Sequence, residues 1–189
     1  METFNILGIS GSLRAGSYNT ALLRAAAEIA PDDMTIELAS IGDLPLFNGD
    51  LEVEHLELPA VTGFRTAVGE ADGLLIATPE YNFSVTGALK NAIDWASRSG
   101  GLRTAPLDLK PAAILGAGGR FGTLRSQMHL RDMLLHNDVR TVNTPQVMID
   151  APRVKFDAEL RLIDDRHRDQ IARLLEGLGR LAPDYDVLL

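Results

Sequence analysis

Short apolar runs alternate with amphipathic stretches along most of the chain. Five runs are nearly continuous in apolar residues, as expected of strands buried on both faces of a parallel sheet. These predicted strands are 4–9, 34–39, 73–78, 111–116 and 141–149, the last broken by Pro145. The amphipathic stretches carry apolar residues at the helical period. The predicted helices are 18–30, 61–70, 86–97, 123–136 and 158–181, with a loop over 41–59.

Strands that alternate with helices predict an α/β protein with a doubly wound parallel sheet. No internal repeat or linker interrupts the pattern, so residues 1–189 are expected to form one domain. Ligands of such sheets bind beyond the carboxyl ends of the strands, where the strand order reverses. We therefore expect the functional residues in the loops after the first, third and fourth strands.

The loop after the first strand has the composition of a phosphate site. Residues 10–19 read Ser-Gly-Ser-Leu-Arg-Ala-Gly-Ser-Tyr-Asn and lead into a predicted helix. Hydroxyls, glycines and a guanidinium before a helix N-terminus are the groups that bind phosphate. Neither a Walker motif nor Gly-x-Gly-x-x-Gly is present, and the second strand ends at Ser40 rather than an acid. A plain helix-capping turn is the alternative interpretation.

The loop after the third strand suits a planar ring. Residues 78–95 read Thr-Pro-Glu-Tyr-Asn-Phe-Ser-Val-Thr-Gly-Ala-Leu-Lys-Asn-Ala-Ile-Asp-Trp. Pro79 ends the strand, and Tyr81 and Asn82 follow where backbone amides and an aromatic face can meet a heterocycle. The aromatic residues can equally serve packing, and this is the interpretation favoured for Trp95.

Charge and composition narrow the class of partner. The 189 residues carry a net charge of −8, which argues against nucleic-acid binding. Residues 81–136 nevertheless hold seven basic and three acidic residues. This local excess is either chance surface patterning or a positive field that attracts an anionic cosubstrate. His129 and His136, seven positions apart, would be separated by about 10 Å along a helix, so no metal site is expected. The N-terminus has no leader pattern, which predicts a cytoplasmic protein that does not associate with membranes.

Together, the two loop segments resemble those of the NADPH-dependent FMN reductases, a family that includes bacterial quinone and chromate reductases. The resemblance weakens after about residue 145. It implies a flavodoxin-like fold, a three-layer sandwich whose five parallel strands have the order 2-1-3-4-5. It also implies a bound FMN. The implied FMN-binding residues are Ser10, Ser12, Arg14, Ser17 and Asn19 in the first loop, Pro79, Glu80, Tyr81 and Asn82 in the second, and Gly116, Gly118 and Gly119 in the third.

The implied activity is a two-step transfer of hydride from NADPH or NADH, through FMN, to a quinone or another small soluble acceptor. Such chemistry needs no obligatory acid or base, so no catalytic residue is assigned. Arg14 and Arg120 are expected to hold the phosphates of NADPH. The family also implies a homodimer or homotetramer that pairs through helices 86–97 and 123–136, with Arg125, His129 and Arg131 at the contact. An electron-carrying flavodoxin and a flavin-free phosphosugar or nucleotide binder are the alternatives.

Overall fold

A computed structural model describes residues 3–53, 58–99 and 104–181. The strands are β1 (Phe4–Ser10), β2 (Met34–Ala39), β3 (Gly73–Ala77), β4 (Pro111–Ala117), β5 (Arg140–Thr141) and β6 (Val147–Ile149). The helices are α1 (Tyr18–Ile29), α2 (Gly49–Val53), α3 (Pro59–Glu70), α4 (Gly87–Ala96), α5 (Leu124–Leu134) and α6 (Asp165–Leu181). Within the described ranges, no helix has the length and apolarity needed to cross a bilayer.

The sheet is parallel, and its strands follow the order β2-β1-β3-β4-β5. β5 pairs with residues 111–112 of β4, and β6 pairs with residues 115–117 of the same strand. β5 and β6 therefore share one strand position, split where Pro145 was expected to interrupt it. The predicted order is confirmed, and β1 and β3 lie side by side, so the loops after them are neighbours.

Helices cover both faces of the sheet. α1 and α6 pack on one face, against side chains such as Leu75 and Leu115. α3, α4 and α5 pack on the other, against the alternate residues Leu74 and Ile114. Alternation of side chains along each strand explains why nearly every strand position is apolar. Trp95 is buried in the second layer, as expected from packing, and its indole N–H donates to the carbonyl oxygen of Pro45 over 2.8 Å.

One predicted helix start and one predicted loop are wrong. α6 begins at Asp165, although apolar Leu160 and Ile163 extend its stripe toward the N-terminus. Leu160 instead adopts φ 63° in a turn, and Ile163 is exposed. The side chain of Asp164 accepts the backbone N–H of His167 over 3.0 Å, which marks the start of the helix. The predicted loop 41–59 contains the short helix α2, and its residues 54–57 lie outside the described part of the chain.

Asp164 should make the stability of this protein sensitive to acid. The hydrogen bond from Lys155 Nζ, joined by bonds from the backbone and ring of His167, holds the pKa of Asp164 well below its usual range. A carboxylate with a lowered folded-state pKa stabilises the fold above its unfolded pKa, and this contribution is lost as the pH falls below about 4. We expect Asp164→Asn to lower the free energy of unfolding by about 1–2 kcal/mol at pH 7 and by less at pH 3.

Urea unfolding of both proteins at pH 7 and pH 3 measures this difference. Asp169→Asn, at an exposed position of the same helix, is the matched control and should change little at either pH. An Asp164→Asn deficit that stays constant across the two pH values would contradict the assigned role of the ionised carboxylate.

Candidate functional site

The loops after β1, β3 and β4 meet around a cavity of about 240 Å³ at the carboxyl edge of the sheet. This is the place where the strand order reverses, as expected for a ligand site in a doubly wound sheet. Nine of the twelve residues implied to bind the cofactor line it. They are Ser12, Arg14, Ser17, Asn19, Pro79, Glu80, Tyr81, Gly118 and Gly119.

The N-terminus of α1 supplies hydrogen-bond donors to this cavity. Ser17 is its N-cap, and the Ser17 side chain accepts the backbone N–H of Thr20. The backbone N–H groups of Tyr18 and Asn19 find no acceptor among the residues that the structure describes. The Ser17 hydroxyl can still donate its hydrogen. Unpaired N–H groups at a helix N-terminus attract anions, so this end of the cavity is suited to a phosphate.

Asn19 links the first loop to the third through two side-chain hydrogen bonds. Its side-chain amide donates to the carbonyl oxygen of Ala117 over 2.9 Å, and its side-chain oxygen accepts the Ala117 N–H over 3.0 Å. Asn19 is 4% exposed. Because both polar atoms of the side chain are bonded to the end of β4, the backbone N–H is the donor that we expect Asn19 to offer a ligand.

Ser10 and Arg14 both belong to the first loop, but Ser10 is buried and Arg14 is exposed. Ser10 does not line the cavity, since its hydroxyl bonds to that of Thr20 over 2.8 Å beneath the loop. Arg14 lies on the outside, exposed, and one of its terminal nitrogens donates to the Gly16 carbonyl over 2.9 Å. The other guanidinium donors have no acceptor among the described residues and lie at the mouth of the cavity.

The second loop forms a tight reversal next to the cavity. Tyr81 and Ser84 exchange two backbone hydrogen bonds, of 3.1 and 3.0 Å. The two residues between them are both left-handed, with φ 50° at Asn82 and φ 64° at Phe83. This is the backbone of a type I′ turn, which asparagine tolerates and phenylalanine disfavours. Tyr81 lines the cavity, whereas Asn82 is exposed outside it.

The third loop borders the cavity with glycine residues. Gly118 and Gly119 line it, and Gly119 has φ 50° with open space where a side chain would begin. Gly116 lies deeper and does not line the cavity, because it packs against Thr123 and the backbone of Thr78.

Arg120 follows on the exposed side of this loop, outside the cavity. Its guanidinium carbon lies 5.6 Å from the centre of the Phe121 ring. The structure therefore does not bring Arg120 into the cavity that Arg14 borders.

Three further residues line the cavity that sequence reasoning did not select: Tyr18, Ala117 and Pro152. Tyr18 and Ala117 directly adjoin predicted residues, and neither is a fixed position of the motif segments. Pro152 belongs to a short turn of 3₁₀ helix after β6, far along the chain. No local signal near Pro152 points to the site, because only the parallel pairing of β6 with β4 brings it there.

Comparison with known proteins decides the family. Residues 4–152 match the family model described as NADPH-dependent FMN reductase. The chain belongs to this family. The resemblance seen in the two loop segments is confirmed, and the three site loops of this FMN reductase family member all fall within the matched range.

Similar proteins of known name agree with this assignment. The chain is 51% identical to an NAD(P)H-dependent FMN reductase of Pseudomonas aeruginosa, an alignment that covers 94% of each chain. It is 44% identical to an NAD(P)H:quinone oxidoreductase of Solanum tuberosum, over 94% of this chain and 92% of that one. Among solved structures, the flavoenzyme NAD(P)H:(acceptor) oxidoreductase FerB of Paracoccus denitrificans superposes with a TM-score of 0.85 at 28% identity, over 97% and 99% of the two chains.

The donors around the cavity fit FMN. One end presents N–H groups, the Ser17 hydroxyl and the Arg14 guanidinium, which suit a phosphate dianion. The other end presents Gly118 and the Tyr81 turn, which let a flat ring approach the backbone. Glu80 also lines the cavity, and its Oε2 accepts the backbone N–H groups of Arg125 and Ser126 at the start of α5.

Proposed function

We propose that this protein is an FMN-dependent NAD(P)H oxidoreductase that delivers hydride to quinones. The observation that carries the proposal is the set of unpaired N–H donors on α1 that faces a glycine-lined cavity in a member of the FMN reductase family. When bound, FMN supplies an isoalloxazine ring that takes a hydride from NADPH or NADH and gives it to the acceptor.

The residues of the chain then have the following roles. Tyr18 and Asn19 donate backbone N–H groups to the phosphate, and Ser17 and Ser12 add hydroxyls. The turn that begins at Tyr81 borders the ring and offers the backbone N–H of Asn82, which has no acceptor within the described part of the chain. None of these groups has to change its protonation state, which agrees with the absence of an assigned acid or base.

Two arginines are proposed to attract the phosphates of the nicotinamide donor. Arg14 supports this role because it is exposed at the mouth of the cavity, with donors that find no acceptor within the described ranges. Arg120 is exposed immediately after Gly119, so it can act only from the rim. A cytoplasmic location is part of this proposal, since NADPH and NADH are available there.

Quinones are the proposed acceptors. Relatives from Solanum tuberosum and Escherichia coli are named quinone oxidoreductase and quinone reductase. The exposed Tyr81 beside the cavity offers an aromatic surface to a planar acceptor. A single cavity would serve donor and acceptor in turn, which makes the reaction a two-step exchange.

A homodimer that can pair again into a tetramer is the proposed assembly. Phe83, Phe121, Leu124 and Met128 form an exposed apolar surface around the first turns of α5. Surfaces of this kind commonly mark protein contacts. Arg131, which the family resemblance places at this contact, bonds through its guanidinium to residues 141–143 of the same chain.

The visible spectrum of the purified protein, with FMN added and then NADPH under anaerobic conditions, tests the proposal. We expect flavin bands that stay with the protein on gel filtration, bleach with NADPH or NADH and return when a benzoquinone is added. Bands that resist both donors would leave an electron-carrying flavodoxin as the function. Failure to retain FMN would leave a flavin-free phosphate binder.

A further inference from the structure

We propose that Glu80 is a positioning residue: its carboxylate caps the N-terminus of α5 and thereby holds the turn of residues 81–84 in place beside the cavity. The inference rests on the proposed function, because the position of this turn affects activity only if a flavin ring lies against it. It assigns Glu80 a role through the turn rather than through direct contact with the cofactor.

α5 lacks an N-terminal cap from its own sequence. Thr123 stands at the cap position in a left-handed conformation, φ 70°, and makes no side-chain cap hydrogen bond. Glu80 supplies the missing acceptor from another loop: its Oε2 accepts the N–H of Arg125 over 2.9 Å and that of Ser126 over 3.3 Å. A carboxylate is favourable there because the N-terminus of a helix carries partial positive charge. We call this pair of bonds the Glu80 cap.

Other contacts from the same helix fasten the two ends of the turn. The Ser126 hydroxyl donates to the Pro79 carbonyl over 2.8 Å, two residues before the turn. His129 Nδ1 lies 3.0 Å from the hydroxyl of Ser84, at the end of the turn. α5 therefore contacts the chain on both sides of the turn. Of these contacts, the Glu80 cap contributes two hydrogen bonds.

The turn needs such support because its backbone is strained. Asn82 and Phe83 are consecutive non-glycine residues with positive φ, and the left-handed conformation is unfavourable for phenylalanine. The guanidinium of Arg125 lies 4.0 Å from the centre of the Phe83 ring and so covers the strained residue. Without its attachments to α5, the turn would be free to relax to other reversals, and the N–H of Asn82 would no longer face a fixed direction.

The directions of the two Glu80 oxygens distinguish a role in positioning the turn from a direct electrostatic effect on the flavin. Both oxygens of Glu80 are directed at α5, with Oε1 3.7 Å from Arg125 Nη1 and Oε2 on the backbone. Capping α5 from residue 80 therefore requires an oxygen acceptor at the end of a side chain as long as that of glutamate. A glutamine retains that acceptor without the charge, whereas an aspartate retains the charge but is shorter by one methylene.

Comparison of Glu80→Gln, Glu80→Asp and Glu80→Ala tests the assignment. The dissociation constant for FMN, measured by quenching of flavin fluorescence, should rise by about tenfold or more in Glu80→Asp and Glu80→Ala, and by no more than about threefold in Glu80→Gln. Glu176→Ala on α6, which removes an exposed carboxylate 4.0 Å from Arg180, is the control and should bind FMN as the wild type does.

The relative FMN affinities of the three Glu80 variants decide whether the inference holds. Weaker FMN binding in Glu80→Gln than in Glu80→Asp would show that the charge acts on the flavin and would overturn the inference. So would unchanged FMN binding in every variant, even if thermal unfolding shows lower stability, because the cap would then serve the fold alone. If Glu80→Ala does not fold, the Asp and Gln variants still decide. A wild-type protein that binds no FMN would instead refute the proposed function.

Discussion

Replacing Ser17 by aspartate will weaken FMN binding by at least about a hundredfold and leave the fold intact. Aspartate is as good an N-cap as serine, so the bond to the Thr20 N–H should survive. The same substitution puts a carboxylate among the unpaired N–H groups of Tyr18 and Asn19, where it occupies the donors and repels a phosphate. A repulsion of about 3 kcal/mol, moderate for two charges in a partly enclosed site, corresponds to a hundredfold loss.

Ser17→Asn is the matched variant, because asparagine caps a helix equally well without a charge. Fluorescence titration with FMN should place it within about fivefold of the wild type, while circular dichroism shows all three proteins folded and equally stable. Equal FMN affinity in Ser17→Asp and Ser17→Asn would mean that the phosphate does not bind at the N-terminus of α1.

Gly116→Ala is expected to have the largest effect on stability, a loss of about 3 kcal/mol. A Cβ at this position would overlap the hydroxyl of Thr123 and lie 2.5 Å from the carbonyl oxygen of Thr78. Backbone on one side and a buried residue on the other leave no direction in which the new methyl group can be accommodated. The end of β4 must then shift, and with it the glycines that line the cavity.

Gly63→Ala gives the opposite result with the same chemical change. Gly63 lies in the interior of α3, exposed, with nothing within 4 Å of the position of a Cβ. Alanine there should stabilise the protein by about 0.5–1 kcal/mol, because it loses less backbone entropy on folding. Urea unfolding measures both changes. A Gly116→Ala protein as stable as the wild type would contradict the close packing described around β4.

The fold was predictable because its signals are local. Five apolar runs gave the strands, and Pro145 marked the split between β5 and β6. The start of α6 was missed because Leu160 and Ile163 continue the helical stripe, whereas the side chain of Asp164 decides where the helix begins. A pattern of apolar positions cannot show that a polar residue inside it acts as a cap.

The site was predictable in its loops but not in the direction of every side chain. Ser10 and Asn82 lie in the correct loops, yet neither lines the cavity: the Ser10 hydroxyl bonds to that of Thr20, and Asn82 is exposed. Gly116 and Ala117 are neighbours on β4, and the strand period sends them to opposite faces, so Ala117 lines the cavity and Gly116 packs against Thr123. Contacts between loops distant in sequence settle these cases, and no motif records them.

The Glu80 cap also joins the cavity to the exposed apolar surface on α5. If two copies pair through Phe121, Leu124 and Met128, as proposed, pairing holds the helix to which the turn is fastened. Self-association and flavin binding then act on one element. Where pairing holds the turn in the arrangement that binds flavin, each strengthens the other, and linkage makes the two factors equal. Flavin occupancy should therefore depend on protein concentration, and a dilute sample should lose its colour before it loses its fold.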